Sequence, residues 1–206
     1  MRAPQAPQSR YVVVLDAAHG GDDTGAKLAN NHTEKDITLA LSVRLRSLLV
    51  ARGFQVITTR ESDVSLDPDH RAEIANRSKA RACISLHASD TGGGVHLFAS
   101  SLAPAPTARF VPWKTAQAAW VTRSLALTGA INSSLQHASF NVTLSRTALP
   151  GLDSMTCPAV AIEVAPEREP GKQTIKSALD DSAYQSRVTD ALAAALLVWR
   201  SEAEQP

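Results

Sequence analysis

Long apolar runs are missing from this 206-residue chain. No stretch approaches the roughly 20 residues that a helical membrane span needs, so no integral membrane segment is expected. An excess of charge is missing too: 21 Lys and Arg stand against 20 Asp and Glu, a formal net charge of +1. That balance offers no basic face for nucleic acid and no attraction to an anionic membrane. Cysteine is scarce. Cys83 and Cys157 are too few for a disulfide scaffold. Each precedes or opens an apolar, strand-like run, so buried free thiols are the expectation. Internal repeats, low-complexity tracts and a serine or cysteine nucleophile motif are also lacking. The segment HGGDDTG at 19–25 could serve as a phosphate loop, but it lacks the Lys-Ser/Thr ending of a P-loop and the spacing of a dinucleotide fingerprint.

What remains is 44% hydrophobic and 20% charged, the composition of a globular domain with a substantial core. Residues 1–10 are polar, with Pro4 and Pro7 and no apolar stretch of the kind an export signal carries. They are expected to be a flexible segment, and residues 201–206 a tail. The chain is then either cytoplasmic or a domain cut from a longer protein.

Between these ends the hydrophobic period alternates. The β-branched run Tyr11–Ala17 predicts a buried strand. From Glu34 to Arg52, Ile37, Leu41, Leu45, Leu48 and Leu49 recur at helical spacing, with Thr33 as N-cap and Gly53 as stop. Phe54–Thr59 reads as a strand. Asp67-Pro68 opens a helix that reaches about Lys79. Ala82–Leu86 is a third strand. Gly92, Gly93 and Gly94 break the chain before a short strand at Val95–Ala99. Leu102–Trp113, with three prolines, reads as loop, and Thr115–Thr128 as helix. Asn132–Thr156 gives mixed signals. Ala159–Ala165 is an apolar strand interrupted by Glu163, and a last helix sets Tyr184, Val188, Leu192, Leu196 and Trp199 on one face. Strands joined by crossover helices predict one α/β domain over residues 11–200, a mainly parallel twisted sheet with helices on both faces.

Open parallel sheets bind ligands beyond the carboxyl ends of their strands. His19 lies just past the first strand, His87 follows the third, and Glu163 lies near the end of the late strand. Glu34 starts the helix reached from His19 by a glycine-containing loop. Two imidazoles and a carboxylate make a catalytic zinc set with one position open, and a further carboxylate can move protons. Each residue also has a plainer reading. A strand-end histidine can be structural, and Glu34 can simply favour the positive end of its helix. Glu163 can be half of an ion pair, although a charge inside an apolar strand costs energy unless it is paired or bound. His32, His70, His96 and His137 are expected in structural or solvent roles. Arg60 and Arg71 are expected in support and salt bridges, and Trp113 and Trp120 in buried positions.

Four ordered blocks carry a more specific signal. VVVLDAAHGGDDTGA with EKDITLALSVRLRSLLVARGFQVITTRESD, HRAEIANRSKARACISLHAS, CPAVAIEV, and DDSAYQSRVTDALAAALLVW resemble the type-3 N-acetylmuramoyl-L-alanine amidases and span most of the chain. The resemblance implies zinc ligands at His19, Glu34 and His87 and a catalytic glutamate at Glu163. It implies hydrolysis of the muramic acid–L-alanine amide of peptidoglycan. It further implies a monomer in the periplasm or outside the cell, open to an activator protein, and thus a trimmed piece of an exported protein. Ala17 and Ala18 replace the family's Pro-Gly, Ser89 its asparagine, and Val164–Pro166 its glycine and aromatic pair. These positions bear on the shape of the substrate groove. Two rivals share the same residues: a non-catalytic peptidoglycan-binding module, and a zinc peptidase or deacetylase.

Overall fold

The structure is a computed structural model that describes residues 11–105, 111–169 and 171–203. The expected flexible segment at 1–10 lies outside them, as do 204–206. Six strands form one sheet: β1 (Val12–Ala17), β2 (Gln55–Thr58), β3 (Ala82–Ala88), β4 (Val95–Ser100), β5 (Val142–Thr147) and β6 (Ala159–Val164), in the spatial order β2-β1-β3-β6-β4-β5. Every neighbouring pair is parallel except β4 with β6. The reversal follows from chain length. Residues 89–94 are too short for a crossover, so the chain turns back and β4 runs against β3 and β6. A small hairpin of β7 (Glu167–Arg168) and β8 (Ile175–Ser177) follows β6.

Helices cover both faces, as the alternation predicts. One face of the sheet presents Val13, Leu15, Ile84, Leu86, Leu97 and Ile162 to α1 (Glu34–Ala51), α3 (Val121–His137) and α4 (Ser182–Ala203). Each fully buried Leu or Ile stabilises the fold by roughly 1.5–3 kcal/mol. The other face presents Val14, Cys83, Ala159 and Ala161 to α2 (Pro68–Arg77) and to the 3-10 turn Leu152–Ser154. The last helix runs through Ser201 to Ala203, into what the sequence suggests is tail. The ambiguous stretch 132–156 resolves into the end of α3, edge strand β5 and that turn. Its signals are mixed because β5 carries five exposed side chains and buries none.

Helix α1 starts where the sequence predicts. The N–H and hydroxyl of Thr33 both donate to Asp36 Oδ2. It ends at Ala51, with Arg52 as its C-cap and Gly53 next at φ +82°. Its buried stripe is Ile37, Thr38, Leu41, Leu45 and Leu49, and Glu34 opens that stripe instead of facing solvent.

Two expectations are corrected. Cys83 and Cys157 are joined in a disulfide that bridges β3 to the chain entering β6. Cys83 accordingly lies next to that segment in the sheet, its N–H bonded to Pro158 O. Strand periodicity alone does not reveal such pairing across a parallel ladder. Trp113 is 47% exposed, not buried; it stands at the first position of a 3-10 helix, Trp113–Ala119, that buries Ala116 and Gln117 instead.

Candidate metal centre and its surroundings

The order of the sheet assembles the site. β1, β3 and β6 point the same way, so their carboxyl ends share one edge. β4 runs in reverse, so its beginning reaches the same edge. Side-chain alternation places Asp16, Ser85, His87, Glu163 and His96 on the face covered by α2, opposite the large aliphatic core.

His19 occupies an unusual backbone position. Its φ is +61°, a conformation that costs of order 1–3 kcal/mol for a non-glycine residue. Its surroundings hold it there. Arg71 Nη2 donates to His19 O at 2.7 Å, and Gly20 and Asp23 exchange backbone hydrogen bonds beyond it. His19 Nδ1 lies 2.8 Å from Asp23 Oδ2, which turns Nε2 toward Glu34 Oε2 at 3.2 Å.

Glu34 lies between the two imidazoles. Its Oε2 accepts the Ala26 N–H at 3.0 Å; its Oε1 accepts the Ala88 N–H at 3.2 Å and lies 2.9 Å from His87 Nδ1. Burial alone would raise its pKa. The hydrogen bonds from His19, His87 and Ala26 outweigh that and hold the carboxyl well below the usual range. The same Glu34 contact, against an opposing effect of burial and with help from Asp23, raises His19 above its ordinary value.

Buried charge supports the floor. Asp16 accepts from Thr59 Oγ1 and Arg71 Nη1 at 2.7 Å on Oδ1, and from Ser85 Oγ at 2.8 Å on Oδ2. Ser85 Oγ in turn lies 3.4 Å from His87 Nε2. Arg60 donates to the carbonyls of Ala17, Ala18 and Lys35. Both arginines therefore act in support, as the sequence suggests. Asp16 escapes notice in the sequence, although the reasoning applied to Glu163 fits it equally: a charge in an apolar strand requires a partner.

The structure brings His19, Glu34 and His87 together. One ligand-type atom from each lies within 4.8 Å of the others. The donor set suits zinc, because the outer ring nitrogens are already engaged by Asp23 and Ser85 and the inner ones converge. Gly25 makes room for it. At φ +64°, a Cβ there would sit 2.6 Å from His19 Cδ2 and 2.7 Å from Glu34 Oε2. Beside the trio is a cavity of about 160 Å³, walled by Pro68, Leu149, Pro150, Leu152 and Met155.

No hydrogen bond or ion pair joins Glu163 to the trio, but it stands beside His87 in the β3–β6 register. Its partner is His96, with Nδ1 and Oε1 2.9 Å apart. The sequence reading sets His96 aside as structural or solvent-facing; only the antiparallel β4–β6 pairing reveals its neighbour. His32 pairs loosely with Asp180 on the surface at 3.4 Å, and His70 and His137 are exposed on helices, so these three stay apart from the site.

The chain is similar to several known proteins. Over 84 residues the chain is 44% identical to the endolysin of Bacillus phage SPP1, covering 40% of this chain and 31% of that protein. Over 87 residues it is 40% identical to the N-acetylmuramoyl-L-alanine amidase AmiA of Escherichia coli, covering 41% of this chain and 30% of that one. The matched stretches thus span about a third of these relatives' lengths. The fold is that of the catalytic domain of CwlV, an N-acetylmuramoyl-L-alanine amidase from Bacillus (Paenibacillus) polymyxa var. colistinus. The TM-score is 0.72 at 23% identity, over 92% of this chain and 98% of that one. The sequence profile of one family matches residues 13–197, nearly all of the sheet and its helices, and by that match the chain belongs to the N-acetylmuramoyl-L-alanine amidase family.

Proposed function

We propose that residues 11–200 form the catalytic domain of a zinc-dependent hydrolase that cleaves the amide between N-acetylmuramic acid and L-alanine in peptidoglycan. One observation carries this reading: two imidazoles and a carboxylate converge, with Glu163 on the strand next to His87. His19 through Nε2, Glu34, and His87 through Nδ1 would hold the metal. Bound zinc supplies Lewis acidity, which polarises the scissile carbonyl and brings the pKa of attacking water toward about 7. Glu163 accepts the proton of the attacking water and returns it to the departing L-alanine nitrogen. No covalent intermediate with the protein is required. Asp23 and Ser85 fix the ring orientations of His19 and His87.

The substrate lies outside the cytoplasmic membrane, so the protein acts in the periplasm or outside the cell. The buried Cys83–Cys157 disulfide suits an oxidising compartment.

Glu163→Gln tests the mechanism. The amide is nearly isosteric but cannot take the proton. The zinc-loaded, folded variant should lose activity on muropeptides by roughly 100-fold or more. Near-normal turnover would remove Glu163 from the chemistry. A lowered melting temperature with turnover preserved would make it a structural ion-pair partner.

A further inference from the structure

Glu163 faces a histidine on each side in the sheet, His87 from β3 and His96 from β4. Among the described residues only His96 bonds to it, with Nδ1 donating to Oε1 at 2.9 Å. The pair is largely shielded, with side chains 18% and 28% exposed. The ring of His96 is also held from outside the sheet. Gly92 packs against it at φ +74°, where a Cβ would lie 2.7 Å from His96 Cε1. That loop is fastened in turn by Arg168, which donates to Gly92 O at 2.6 Å and Asp90 O at 3.3 Å. A strand register, a close-packed glycine and an arginine clamp thus fix one imidazole against one oxygen of one carboxylate.

We infer that His96 is a positioning residue for Glu163: it engages Oε1 and leaves Oε2 as the oxygen that exchanges the proton. This rests on Glu163 being the general base proposed above. The hydrogen bond restrains the rotation of the carboxylate. A purely structural ion pair would give stability without directing either oxygen.

The test compares zinc-loaded wild type, His96→Leu, His96→Asn, His96→Gln and Glu163→Gln on solubilised peptidoglycan. It reads kcat, KM, zinc content and melting temperature. His96→Leu should keep its zinc and lose roughly tenfold or more in kcat with little change in KM, the scale expected when an orienting partner is removed. His96→Asn places an amide N–H where Nδ1–H was, and should recover most of the loss in kcat. His96→Gln reaches instead toward the Nε2 position and should resemble His96→Leu; it carries the test if the leucine variant does not fold. Wild-type kcat in the folded Leu or Gln variant overturns the inference, as does an Asn variant no better than either. If Glu163→Gln is inactive while those variants are normal, the positioning role alone fails. If Glu163→Gln is fully active, the general-base reading itself fails.

Discussion

Removing the disulfide should weaken the fold without dismantling the proposed site. Cys83 and Cys157 are separated by 74 positions in sequence, and both are 1% exposed. Closing a loop of that length restrains the unfolded chain by about 4 kcal/mol in the chain-entropy picture. For a domain of this size each kcal/mol shifts the melting temperature by roughly 2–4 °C. The double change Cys83→Ala and Cys157→Ala should therefore lower it by roughly 8–16 °C. Alanine is the cleaner replacement, since serine would place hydroxyls among Val14, Ala159 and Met155. Calorimetry of both proteins supplies the shift. Alkylation of denatured, unreduced wild type followed by intact-mass measurement establishes the bond: an intact bridge blocks modification at both positions. Two alkyl groups on unreduced wild type would refute the reasoning at its root. A melting temperature unchanged in the double variant would refute the magnitude.

Other perturbations reach the site more directly. Arg71→Met leaves Asp16, only 5% exposed, with two hydroxyl partners and no direct ion-pair partner among the described residues, and frees the His19 carbonyl. Breaking one partner from a buried pair costs about 3–5 kcal/mol, so urea denaturation should show a loss of that size; a loss below about 1 kcal/mol would mean the pair does not support the floor. Gly25→Ala puts a methyl group against His19 and Glu34 at a positive φ. It should cost at least about 1 kcal/mol in stability and weaken zinc binding in a competitive chelator titration; wild-type affinity would show that the loop is not shaped around the metal.

Much of this architecture is legible in the sequence because it rests on local period. Tyr11–Ala17, Phe54–Thr59 and Ala82–Leu86 announce parallel strands through β-branched runs separated by capped helices, and the structure joins them in that manner. The trio is legible for a related reason: residues just past strand ends must share an edge if the strands are parallel. What escapes is set by non-local register. The partner of His96 depends on β4 being reversed and on β6 entering between β3 and β4 from far along the chain. The disulfide depends on the same insertion. Asp16 was within reach, since a carboxylate in VVVLDA poses the same energetic question as one in AVAIEVA; its answer, Arg71, lies on a helix 55 positions away. β5 is hard to read because it is an edge strand with no face committed to the core.

The most direct test of the central claim is mass spectrometry of the soluble products formed when the zinc-loaded protein digests purified peptidoglycan. The account predicts stem peptides beginning with a free L-alanine amine, glycan strands whose muramic acid carries a free lactyl carboxyl group, and no release after zinc is removed by a chelator. Cuts within the stem peptide, acetate release with the lactyl amide intact, or binding with no product would each contradict it, and would point instead to a peptidase, a deacetylase or a binding module built on the same fold.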